Sequence, residues 1–122
     1  MQHPALPLSC QVTVGDYRIR VPVASTAAQQ YAGLRHGRSY AGMLFDPAPP
    51  ALTMRGVSFG LQALVLESIG TGAYRVSDVL AMEPGVELYP ISVGRSGVVL
   101  EATSMFPVRT GDRVSIDSCT RG

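Results

Sequence analysis

The side chains able to do chemistry in this sequence are few, and their spacing keeps them apart. Cys10 and Cys119 sit near opposite ends. Neither belongs to a Cys-x-x-Cys pair or a Cys/His cluster, so a zinc site has no ligand set. His3 lies in a proline-containing opening stretch, and His36 follows a predicted helix, where the helix dipole gives a cationic imidazole an ordinary role. No Ser-His-Asp order with a nucleophile elbow is read around Ser58, and no glycine-rich loop precedes a helix to cradle a phosphate. Met43, Met54, Met82 and Met105 show no Met-x-Met clustering, which makes them filler for irregular core gaps rather than a copper or redox set. General acid–base catalysis needs two titratable groups of different environment converging on one cleft. Glu101 is one carboxylate on a predicted strand, and Gly111-Asp112 suits a tight turn. The residues therefore predict no catalytic set, no metal and no cofactor.

Charge narrows the partners. Ten Lys plus Arg against nine Asp plus Glu give a net charge of +1, and all ten bases are arginine, with no lysine or asparagine anywhere. The arginines are scattered, so a nucleic-acid backbone finds no basic stripe, although the guanidinium group suits planar pairing at protein contacts. Apolar residues make up 46% of the 122 and charged ones 16%. That balance predicts a single globular domain with one core and no run long enough to cross a membrane. The opening residues have neither a basic leader nor an apolar stretch of signal-peptide length, so the expectation is a protein kept in the cytoplasm or assembled into a particle made there.

These residues must be positioned by short elements. Gln11–Val14 and Tyr17–Val23 flank Gly15-Asp16 and read as a hairpin. In its second strand Tyr17, Ile19 and Val21 share one face, while Arg18 and Arg20 share a solvated one. Thr26 and Gln29 have the spacing of a capping box, predicting a helix over Thr26–Leu34 with Ala27, Tyr31 and Leu34 on one side and Gly37 as its cap. Brief runs follow: Gly42–Phe45, Leu52–Met54, Leu61–Glu67, Ala73–Leu80, Val86–Ile91, Gly97–Thr103 and Arg113–Asp117. Short strands with turn residues between them argue for a mainly β, small antiparallel sandwich or barrel, jelly-roll-like, with one short helix in the N-terminal half. The domain is read as a proline-rich arm over 1–8 and a β core over 9–119. Pro47, Pro49 and Pro50 are read as protecting an edge beside Gly42–Phe45. Leu61–Leu66 is the candidate central strand, with Leu64 and Leu66, or else Ala63 and Val65, facing the core and Gln62 its polar exception. Neighbouring first and last strands would let Cys10 and Cys119 pair, worth roughly 3 to 5 kcal/mol. Two separate, reduced, buried cysteines are the expectation where no export signal is read.

Several pieces occur in an order that resembles the domain of unknown function 192 family: Thr26 with Gln29, Gly33-Leu34, Gly42-Met43-Leu44-Phe45, Met54, Leu61 and its strand, Val99-Leu100-Glu101, and Gly111-Asp112-Arg113-Val114. The match runs from about residue 20 to residue 117. The resemblance implies a compact, mainly β domain and brings no firmly established activity. Family members read Met-x-Asn-Thr before the central strand and carry an aspartate within it. This chain has Met54-Arg55-Gly56-Val57 and Gln62 there, and it also departs at Arg35 and Gly37. The positions the family pattern marks as a candidate ligand site are Met54, Gln62, Glu101 and Asp112.

With two polar groups of that pattern missing, the leading expectation is a non-catalytic interaction or structural module. It would be a subunit of a homo-oligomer or larger assembly such as a virus particle, with protein partners and neither nucleic acid nor membrane. The alternative is a small-molecule-binding module or hydrolase with a pocket near Gln62 and Glu101.

Overall fold

The structure, a computed structural model, describes residues 8–32 and 41–121. Expectations for residues 1–7, for the side chain of Tyr31, and for Leu34, Arg35, His36 and Gly37 lie outside what is described. Strands β1 (Leu8–Val14) and β2 (Tyr17–Ala24) form the expected hairpin, with Val14 opposite Tyr17. Gly15 takes φ 59, the left-handed value that a two-residue hairpin turn demands at its first position. Leu8 pairs with Arg121, so the β core reaches one residue into the stretch read as an arm.

Helix α1 (Ala27–Ala32) is capped as its sequence dictates. The Gln29 N–H donates to Thr26 Oγ1 at 3.1 Å, and Gln29 Oε1 accepts the Thr26 N–H at 3.1 Å and the Ser25 N–H at 2.9 Å. Strands β3 (Gly42–Phe45), β4 (Ala51–Leu52), β5 (Leu61–Gly70), β6 (Ala73–Met82), β7 (Tyr89–Pro90), β8 (Val98–Ala102) and β9 (Arg113–Arg121) follow. Seven of the strands close into a barrel in the order β1-β2-β3-β8-β5-β6-β9, and β4 and β7 form a separate two-stranded sheet. Closure, rather than two stacked jelly-roll sheets, removes the exposed edges. Every barrel pairing is antiparallel except β2 with β3, whose parallel register requires the crossover that carries α1.

Alternate residues of all seven barrel strands fill the interior, among them Val12, Val21, Leu44, Leu64, Val76, Leu100 and Val114. A second apolar layer lies outside the barrel. There Phe45, Ala63, Val65 and Val99 pack against Ala48, Leu52, Met54, Val57 and Ile91 from the connections. β5 is therefore buried on both faces over Leu61–Leu66, and the Leu64/Leu66 and Ala63/Val65 sets both face apolar cores. β3 is likewise internal, paired with β2 and β8, so the prolines after it do not guard an edge. They form a wall of the outer layer, entered through a cis Asp46-Pro47 bond.

The outer face of β2, β1 and β9 is bare by contrast, carrying Arg18, Arg20, Thr13, Ser115 and Asp117. At the β1–β9 seam a register shift follows Ser9, and Ser118 takes φ 48. The Arg20 guanidinium holds this irregularity, donating to Ser9 O at 2.7 Å and to Ser118 O at 2.8 Å. Cys10 and Cys119 are joined there by a disulfide, where reduced thiols were expected, because strand adjacency brings their Cα atoms to 4.0 Å.

Candidate functional site

The four residues marked by sequence stand on different elements of the fold. Gln62, 5% exposed, points into the barrel interior with Leu64 and Leu66. Its Oε1 accepts the Phe106 N–H at 2.8 Å, and its Nε2 donates to Phe106 O at 3.1 Å. Both ends of the amide are thus spent holding Phe106, whose ring plugs the barrel end and meets Tyr17 edge-on at 5.7 Å. Glu101, 4% exposed, pairs in register with Met43 and Ala63 on the opposite, outer face of the sheet. The wall of the barrel therefore separates the side chain of Gln62 from that of Glu101. Met54 is fully buried in the outer layer, its N–H donating to Val86 O at 2.9 Å and its carbonyl accepting the Val57 N–H at 3.0 Å. Asp112 closes a turn: its Oδ2 accepts the Arg109 N–H at 2.9 Å, and its carbonyl accepts the Val76 N–H at 2.8 Å.

Catalytic groups do not converge elsewhere among the described residues. The stretch Gly56-Val57-Ser58-Phe59-Gly60 does carry the Gly-x-Ser-x-Gly spacing, against the expectation that Ser58 lacks a leading glycine. Its structural context is a turn, with Gly56 at φ 79, that leads from the β4 connection into strand β5. A nucleophile elbow instead requires a strand before the serine and a helix after it. No three His, Cys, Asp or Glu among the described residues gather as a metal set. Tyr74 has a displaced titration: burial pushes its hydroxyl upward, and the negative charge of Asp46 adds to the rise.

A feature with the shape of a site is a groove of about 680 Å³ between the start of α1, the proline segment and the turn before β8. Its floor and walls include Ala48, Pro49, Pro50 and Ile91, and its polar margin carries Ser92 and Arg95. The three walls are tied to one another through backbone groups. Gln30 Nε2 reaches from α1 to Pro47 O at 2.9 Å and also holds Ala24 O at 3.1 Å. The Ala48 N–H donates to Gly97 O at 2.8 Å, and the Ile91 N–H to Pro50 O at 2.9 Å. Arg95 rides on a turn closed by the Gly97 N–H to Gly94 O at 3.1 Å, with Gly94 at φ 71. Gly97 admits no side chain, since a Cβ would meet Leu66 O at 2.7 Å. The groove is consequently preformed on a rigid frame, as ligand sites generally are. A second cleft, of about 490 Å³, opens at the barrel end between the Gly15-Asp16 turn and Pro107-Val108, and Asp112 lines it with Arg113.

None of the groove residues was singled out from sequence as binding. The available signals were Gly94-Arg95-Ser96-Gly97 and the cluster Pro47, Pro49 and Pro50, which read as turn punctuation and edge protection.

No family model matches the chain, and no curated protein matches it. Two solved structures share its fold. One is a candidate transcription regulator from Sinorhizobium meliloti 1021, 20% identical with a TM-score of 0.70, covering 94% of this chain and 98% of that one. The other is a protein of unknown function from Novosphingobium aromaticivorans DSM 12444, 24% identical with a TM-score of 0.65, covering 94% of this chain and 91% of that one. At these identities the likeness is one of fold, and it extends over nearly the whole chain.

Proposed function

We propose that this chain is a non-catalytic binding domain whose recognition site is the groove between α1, the proline segment and the turn before β8. The observation that carries the reading is the hydrogen bonding of three separate chain segments into one apolar-floored concavity with a charged margin. Ligand sites are characteristically of this size, mostly apolar, with a few placed polar groups. The separation of Gln62 from Glu101, and the use of Asp112 in a turn, argue against a hydrolase at those positions. On the pieces described from sequence, we take the chain as a divergent relative of the domain of unknown function 192 family. The Cys10–Cys119 bond favours an oxidising compartment as its place of work.

The test is amide NMR with a library of small fragments. Binding at the groove shifts the amides of Ala48, Ile91, Ser92 and Arg95. Shifts confined to the Asp16 and Asp112 cleft, or no shifts at all, refute the reading.

A second reading, a subunit of a larger assembly such as a virus particle, is favoured by Val86 and Leu88, 38% and 63% exposed beside the Arg55–Glu87 ion pair. Its test is native mass in solution. An oligomer that dissociates in Leu88→Asp supports it, and a monomer at all concentrations refutes it.

A further inference from the structure

We infer that the groove selects a small carboxylate with an apolar body, the carboxylate meeting Arg95 and the hydrocarbon lying on Ala48, Pro49, Pro50 and Ile91. The inference deepens the binding-domain reading and rests on it. Its basis is the asymmetry of charge around the concavity: among the described lining residues Arg95 is the charged side chain, and no carboxylate lies with it.

Three of the described arginines elsewhere are already engaged. Arg55 pairs with Glu87 at 3.1 Å, Arg75 with Glu67 at 3.5 Å, and Arg20 spends its guanidinium on two backbone carbonyls. In the barrel-end cleft, Arg113 shares the lining with Asp16 and Asp112, so that surface is internally compensated. Among the described lining residues the groove's cation has no such counterweight, and its fork of donors matches a carboxylate better than any neutral acceptor. The Ser92 hydroxyl stands on the same margin and supplies one further donor.

The apolar part of the ligand follows from the floor. Ala48 and Ile91 are buried there, and the proline rings have no N–H to satisfy, so this surface offers contact without a demand for polar partners. Gln30 is unavailable as a donor, since its Nε2 is committed to Ala24 O and Pro47 O. A ligand that was polar throughout would leave its groups unpaired against this floor. A purely apolar one would forgo Arg95.

The experiment compares hexanoate with its neutral counterpart hexanamide by amide NMR titration, on wild type and on Arg95→Gln. Hexanoate is expected to shift Ser92, Gly94 and Arg95 with about tenfold higher affinity than hexanamide, the gain of one partly exposed charge-assisted pair. The preference should shrink at high ionic strength. Arg95→Gln should lower hexanoate affinity to that of hexanamide and leave hexanamide unchanged. Equal binding of the two probes at the groove overturns the carboxylate inference while leaving the groove as a binding site. Failure of both probes and of every other fragment to shift these amides removes the groove reading itself. Hexanoate binding elsewhere on the barrel, or binding in Arg95→Gln as tight as in wild type, also overturns the inference.

Discussion

Replacing Gln62 with leucine tests whether a buried amide or apolar packing keeps the barrel end closed. The substitution nearly conserves volume but removes two hydrogen bonds, at 2.8 and 3.1 Å, to the backbone of Phe106, which is only 6% exposed. The Phe106 N–H then loses its partner in an apolar setting, while the Phe106 carbonyl keeps the Val108 N–H at 2.9 Å. The orphaned N–H costs about 1–3 kcal/mol, and the second bond lost at the carbonyl adds about 1 kcal/mol. A leucine among Leu64, Leu100 and Ala102 returns roughly 1 kcal/mol of transfer energy, and local loosening admits water to the freed groups. The expected net loss is about 1–3 kcal/mol, a sizeable share of the 5–15 kcal/mol of a typical domain. Urea unfolding measures it as a lower midpoint at unchanged slope. Hydrogen exchange adds a local signature, with the Phe106 amide losing more protection than those of β5. A variant within about 0.5 kcal/mol of wild type would refute the reasoning, because surface-like tolerance is incompatible with an orphaned buried N–H.

Cys10→Ser with Cys119→Ser should cost about 4–5 kcal/mol, the loop-entropy value for a crosslink spanning 109 residues, and a urea midpoint unmoved by reductant would contradict it. Gly42→Ala should lose about 1–3 kcal/mol, because the new Cβ overlaps the Glu101 carbonyl oxygen across the β3–β8 ladder; an unchanged melting temperature would disprove that close approach. The raised Tyr74 titration has a definite sign in pH. The native state holds the proton more tightly than the unfolded chain, so the stability due to this group is complete below its ordinary value of 10.0 and is lost as pH rises above it. Tyr74→Phe should therefore lose less stability than wild type between neutral and strongly alkaline pH, as read from paired urea titrations, and parallel curves would deny the shift.

The parts of the fold legible in sequence are those whose signal is local. The alternation of Arg18 and Arg20 with Ile19 and Val21 marked β2, and Thr26 with Gln29 marked the start of α1. The orientation of β5 was not legible, because an outer layer covers the face that water would otherwise have made polar, and a strand buried twice loses its period. Gln62 stood out as polar in an apolar run, but its partner lies 44 residues away, so its structural duty had no local trace. Arg95 reads as an ordinary turn residue until the fold brings the proline segment and α1 beside it. The cysteine pairing depended on β1 and β9 being neighbours, a fact of barrel closure rather than of spacing.

The bond between Cys10 and Cys119 also decides how the domain meets mechanical tension. It links the first strand to the last, so a pull applied beyond the two cysteines runs from one sulfur to the other and bypasses the 109-residue separation between them. The hydrogen-bonded ladders of the barrel then carry almost none of the force. Strung between neighbours, the oxidised domain behaves as a short inextensible link, and reduction turns the same length of chain into slack that stretching can draw out.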